Sequence, residues 1–114
     1  MYTFSHTVAV NPANSQLVIT RQQLWQGLVL KAEDPTSFVD GMESSTIIAR
    51  TENSLLREVM FKGLPVREQV TSDPPNSVSF QQVDAQDAGA VTNTIEGEGS
   101  TLALTFTFSL RFRL

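Results

Sequence analysis

The last fourteen residues, T-L-A-L-T-F-T-F-S-L-R-F-R-L, alternate without a break. Large apolar side chains take every even position: Leu102, Leu104, Phe106, Phe108, Leu110, Phe112 and Leu114. Small or polar ones take every odd position, from Thr101 to Arg113. A period of two is that of a β-strand with one face turned inward. At about 3.3 Å per residue, a strand of this length would reach roughly 45 Å. It requires a large curved sheet around it and a partner layer against its apolar face.

The rest of the chain supplies such a sheet. Residues 2–10 alternate as a first strand, with Tyr2, Phe4, His6, Val8 and Val10 on one face. The strand starts almost at Met1, so nothing is expected before the domain. A loop rich in turn formers follows at 11–15. Thr20 and Gln23 have the spacing of a capping box, and Ile19 and Leu24 that of a hydrophobic staple. Leu24, Trp25, Leu28, Val29 and Ala32 then form a helical stripe. Asp34-Pro35 ends this helix and opens a second, with Gly41 just past its end. The spacing predicts helices over 21–33 and 35–40. Strands follow at 45–51, 55–62, 64–71, 77–83 and 90–96, before the long one at 101–114. They are separated by turns at Glu52-Asn53, Gly63-Leu64, 73–76, 84–89 and 97–100. Short connections between consecutive strands imply antiparallel pairing. The result is a single α+β domain over 1–114, a seven-stranded antiparallel sheet with two short helices after its first strand.

Composition narrows the function classes. Twelve acidic against eight basic residues give a net charge of −4, which offers little to nucleic acid or an anionic membrane. Without cysteine there is no disulfide, thiolate metal site or thiol nucleophile. A single histidine with scattered carboxylates is too little for a metal site, and no cofactor is expected. There is no G-x-S-x-G elbow, and Gly97-x-Gly99 lacks the rest of a phosphate loop. Neither a signal peptide nor a transmembrane stretch is visible, so a soluble cytoplasmic domain is expected.

Arg57 and Glu68 are the most informative pair. With Gly63-Leu64 as a two-residue turn, Arg57 faces Val70 and Val59 faces Glu68, so the two charges are diagonal neighbours. They lie on one face with Val59, Phe61, Val66 and Val70. A charged pair in apolar surroundings carries a large desolvation cost. It reads either as an anchor for the polar end of a ligand or as a structural ion pair. His6 lies on the apolar face of the first strand. It is a ligand contact or general base, or else a histidine satisfied by a neighbouring carbonyl or hydroxyl. With no partner identifiable, the second is the simpler reading. Trp25 suits core packing better than a binding site, whereas Phe106, Phe108 and Phe112 suit either.

The run W-Q-G-L-V-L-K-A-E-D-P-T-S-F-V, within 17–41, resembles the AtaL-like branch of the SRPBCC (START/Bet v 1-like) superfamily. So do L-L-R-E-V-M-F-K-G-L-P-V-R-E-Q-V-T at 55–71 and the following Pro74-Pro75. The resemblance implies a helix-grip fold, in which the curved sheet wraps a long C-terminal helix. This chain ends at Leu114, where that helix would begin. The apolar face of 101–114 then lacks its usual cover, through truncation or because another molecule fills the groove. The resemblance implies binding of a small hydrophobic or amphipathic ligand. The candidate site residues are Arg57, Glu68, His6, Val59, Phe61, Phe80, Phe106 and Phe108. It also permits a cyclase- or dehydratase-like enzyme acting on an aromatic or polyketide-like substrate, with Arg57, Glu68 and His6 as acid/base groups. A third reading is a subunit that forms a homodimer through the uncovered sheet face.

Overall fold

The computed structural model describes residues 2–13, 17–83 and 89–110. Seven strands form one antiparallel sheet: β1 (Tyr2–Ala9), β2 (Met42–Arg50), β3 (Ser54–Phe61), β4 (Leu64–Asp73), β5 (Ser77–Gln82), β6 (Ala90–Glu96) and β7 (Ala103–Leu110). Their spatial order is β1-β7-β6-β5-β4-β3-β2. Five of the six pairings thus join strands consecutive in the chain, and β1 closes onto β7. The helix α1 (Arg21–Glu33) crosses from β1 to β2, the two edge strands.

α1 starts and stops where its local chemistry directs. Thr20 Oγ1 accepts from the Gln23 backbone N–H at 3.1 Å, and Gln23 Oε1 accepts from the Thr20 N–H at 2.9 Å. Two of the helix's orphan donors are satisfied reciprocally. Leu28 and Ala32 are buried, Leu24 and Trp25 pack beside them, and Leu30, off the stripe, is exposed. The second helix is shorter than its predicted span. A single 3-10 turn covers Pro35–Ser37, capped by Asp34 Oδ1 accepting from the Thr36 N–H and hydroxyl. Gly41, at φ +88°, turns the chain directly into β2, which starts at Met42.

Two other expectations shift. Lys62 and Gly63 take φ values of +49° and +82°, as the two central residues of a type I′ hairpin turn do. The turn is therefore Lys62-Gly63, one residue before the expected one, with glycine second. Every pair of the β3–β4 ladder moves accordingly: Phe61 faces Leu64, Val59 faces Val66, and Arg57 faces Glu68 directly. The final strand also begins later. Gly99–Thr101 forms a 3-10 turn, closed by the Thr101 N–H donating to Glu98 O at 3.0 Å. Ladder pairing of β7 then starts at Ala103. The predicted continuation over 111–114, with Phe112 and Leu114, lies outside the described residues, as does most of the turn expected at 84–89.

The core lies between α1 and one face of the sheet. Leu28 and Ala32 meet Leu55, Val70, Val78, Phe80, Ile95 and Leu102, with Leu104 and Ile47 at the margin. On the other face hydroxyls pair across the strands, Ser5 with Thr107 at 3.1 Å, Thr7 with Thr105 at 2.8 Å and Ser79 with Thr92 at 2.9 Å. Such pairs suit a sheet face that meets water. α1 covers only part of the apolar face. On β1, Phe4 stacks on Phe108 with centroids 5.1 Å apart, yet Phe4 remains 53% exposed and Val8 43%.

Candidate ligand groove

The register brings Arg57 and Glu68 opposite each other on adjacent strands, and α1 closes over the pair. Arg57 Nε and Nη2 donate to Glu68 Oε1 at 3.1 and 2.9 Å. Nη1 donates to the carbonyls of Lys31 and Ala32 at 3.0 and 2.8 Å. Those carbonyls belong to the last turn of α1, whose acceptors have no partner within the helix. Four of the five guanidinium N–H groups are thereby used. The guanidinium carbon also lies 5.2 Å from the Phe80 ring centroid. Arg57 is almost fully buried, and it pins the end of α1 to β3, the strand beside the edge strand β2.

Glu68 is the more open partner, its side chain 15% exposed. It lines a cavity of about 260 Å³ with Phe80, Gln82, Ala90, Val91 and Phe108. Apolar walls with one carboxylate make up a pocket that can hold an apolar body and orient one polar group.

Two further residues adjoin this cavity through Phe80, one of its walls, without lining it themselves. Lys31 reaches from α1 to donate to Asn93 Oδ1 at 3.0 Å. Its ammonium lies 5.1 Å from the Phe80 centroid and 5.7 Å from that of Phe106. Burial, reinforced by the Arg57 charge and partly offset by Glu68, holds the Lys31 pKa below the usual lysine value. Between that lowered value and the ordinary one, the unfolded chain binds more protons than the native one. Stability therefore rises with pH across this window. Lys31→Met is expected to flatten the rise in denaturant titrations over alkaline pH. An unchanged slope in the variant would exclude Lys31 as its source.

Sequence reasoning overlooked both residues, although each carried a signal. Lys31 falls seven residues after Leu24 and three after Leu28, on the buried side of the helix. Asn93 sits between Val91 and Ile95 at an inward position of β6, where the alternation calls for an apolar residue.

Of the expected site residues, Arg57, Glu68 and Phe80 meet at this point, and Phe106 joins them through Lys31. Phe108 lies along the cavity wall. Val59, opposite Val66, and Phe61, opposite Leu64, stand toward the Lys62-Gly63 turn. His6 faces Phe106 on the edge strand β1, is exposed, and has no hydrogen bond to its ring among the described residues. Trp25 packs against the core and borders a separate cavity of about 200 Å³ near Arg50 and Asn53. Among the described residues no cluster of His, Asp and Glu could hold a metal ion. No helix among them is long and apolar enough to cross a membrane.

A curved seven-stranded antiparallel sheet with a helix across its apolar face, entered after the first strand, is the START/Bet v 1-like helix-grip fold. The family described as "AtaL: Acetylaranotin biosynthesis cluster protein L" matches residues 4–113, and the chain belongs to that family. A search of curated proteins returned no match. Similar solved structures include the di-domain ARO/CYC BexL from the BE-7585A biosynthetic pathway, with a TM-score of 0.67 and 11% identity over 96% of this chain. The chain spans 36% of that protein's length. The Zhui aromatase/cyclase from Streptomyces sp. R1128 aligns with a TM-score of 0.65 and 16% identity, over 99% of this chain and 70% of that one. A START superfamily protein from Mycobacterium smegmatis aligns at 0.63 and 14%, over 98% and 78%. At these identities the likeness is one of fold.

Proposed function

We propose that this domain binds a small hydrophobic or amphipathic molecule in the groove on the apolar face of the sheet that α1 leaves uncovered. The observation that carries this reading is the open apolar surface beside a charged, hydrogen-bonded end. Phe4 and Val8 are exposed on the same face as the cavity that Glu68 and Phe108 line. Apolar surface left open next to a few convergent polar groups is the usual make-up of a ligand site. Native mass spectrometry of the protein as purified from cells tests it. A retained small-molecule mass, or uptake of the neutral apolar dye N-phenyl-1-naphthylamine, is the expected result. A clean dimer with no added mass and no dye uptake would instead show that a second chain covers the face.

A second reading is a cyclase- or dehydratase-like enzyme on an aromatic or polyketide-like substrate. Its support is the Glu68 carboxylate at an apolar cavity, held by Arg57, in a fold shared with the aromatase/cyclases named above. In that reading Glu68 is the proton-transfer group and Arg57 positions it. The exposure of His6 on the edge strand leaves it without an orienting partner among the described residues.

A further inference from the structure

Arg57 makes four hydrogen bonds to protein acceptors; Lys31 makes one. Lys31 Nζ has one neutral amide oxygen, Asn93 Oδ1, and two aromatic faces as its surroundings. Among the described residues no carboxylate stands within ion-pair distance of it. Asn93 beneath it is fully buried, 0% exposed, and its Nδ2 has no acceptor there. A buried amide donor without an acceptor is rare and marks a missing partner. Two donor groups thus lie side by side: the Lys31 ammonium, with one neutral acceptor, and the Asn93 amide, with none. The charges point the same way. Lys31 and Arg57 face one carboxylate, Glu68, so this end of the groove holds one positive charge in excess. Cation–π contact with Phe80 and Phe106 softens that excess without neutralising it.

We infer that the groove takes a monoanionic ligand, an apolar molecule bearing one carboxylate, whose oxygens accept from Lys31 Nζ and Asn93 Nδ2. This rests on the groove-binding reading above and adds the chemical class of the ligand. One carboxylate balances the excess charge; a phosphate dianion would overshoot it in an apolar wall where unpaired charge is costly. An ammonium–carboxylate hydrogen bond is also the stronger, charge-assisted kind. The apolar body of the ligand lies along Phe106 and Phe108 toward Phe4, the aromatic side chains that lead to the open edge.

The test compares naphthalene-2-carboxylate with its methyl ester by isothermal titration calorimetry at neutral pH. Both probes have the same apolar body, and only one carries the charge. The carboxylate is expected to bind at least about tenfold more tightly, the scale of one charge-assisted hydrogen bond. Lys31→Met, which keeps the apolar stem over Phe80, should abolish that preference and leave the ester's affinity nearly unchanged. Should that variant fail to fold, Lys31→Gln serves in its place. Equal affinity of both probes for the native protein, or a preference that survives Lys31 replacement, overturns the inference and leaves groove binding standing. If neither probe binds and the neutral dye is not taken up either, both readings fall together.

Discussion

Arg57→Ala is expected to cost about 3–5 kcal/mol of folding stability, the scale for removing one partner of a buried ion pair. Against a total stability of roughly 5–15 kcal/mol, this is enough to unfold a marginal domain. Three groups lose their donor at once: Glu68 Oε1 and the carbonyls of Lys31 and Ala32. The double variant Arg57→Met/Glu68→Met separates the contributions. It removes both charges and recovers the ion-pair part, while the two helix carbonyls stay unpaired at about 1–3 kcal/mol for the group left unsatisfied. Urea titrations of the single and double variants measure both quantities. An Arg57→Ala chain within about 1 kcal/mol of the native one would mean that water replaces the guanidinium freely. The clamp on α1 would then not exist in solution.

Leu102→Ala is expected to cost about 2–5 kcal/mol, the range for truncating a buried leucine. Leu102 is 1% exposed and belongs to the cluster under α1 with Leu28 and Ile95. Its backbone joins two elements as well, since its carbonyl accepts from the Val10 N–H at 3.0 Å. The control is Phe4→Ala on the neighbouring edge strand. Phe4 is larger but 53% exposed, so its loss should cost less than about 1 kcal/mol. Denaturant midpoints with unchanged m-values check both. A Phe4→Ala cost equal to that of Leu102→Ala would show that the edge of the apolar face is covered in solution, by a bound molecule or a second chain.

The two variants also mark what the pattern of residues can and cannot convey. Leu102, Phe106 and Phe108 look equivalent in the alternation, yet α1 buries the first almost completely and leaves the others half-buried. The same holds for the charges. The sequence marks Arg57 and Glu68 as an unusual pair on an apolar face. It does not show that two helix carbonyls occupy Arg57, nor that Lys31, from a segment 26 residues earlier, becomes the charge without a counterpart. The turn at Lys62-Gly63 is a smaller case. Glycine can sit first or second in a hairpin turn, and the choice moves the register by two residues without changing any side chain's face.

By itself, then, the sequence determined the order of the elements, the face on which each side chain lies, the limits of α1 and the family. These depend on periods of two and 3.6 and on caps a few residues apart, all local along the chain. The β3–β4 register, how much of the apolar face α1 covers, and which half-buried charge has no carboxylate beside it came only from tertiary packing. These depend on where α1 lies across the sheet. That position is set by contacts such as Arg57 to Ala32 and Lys31 to Asn93, between residues far apart in sequence.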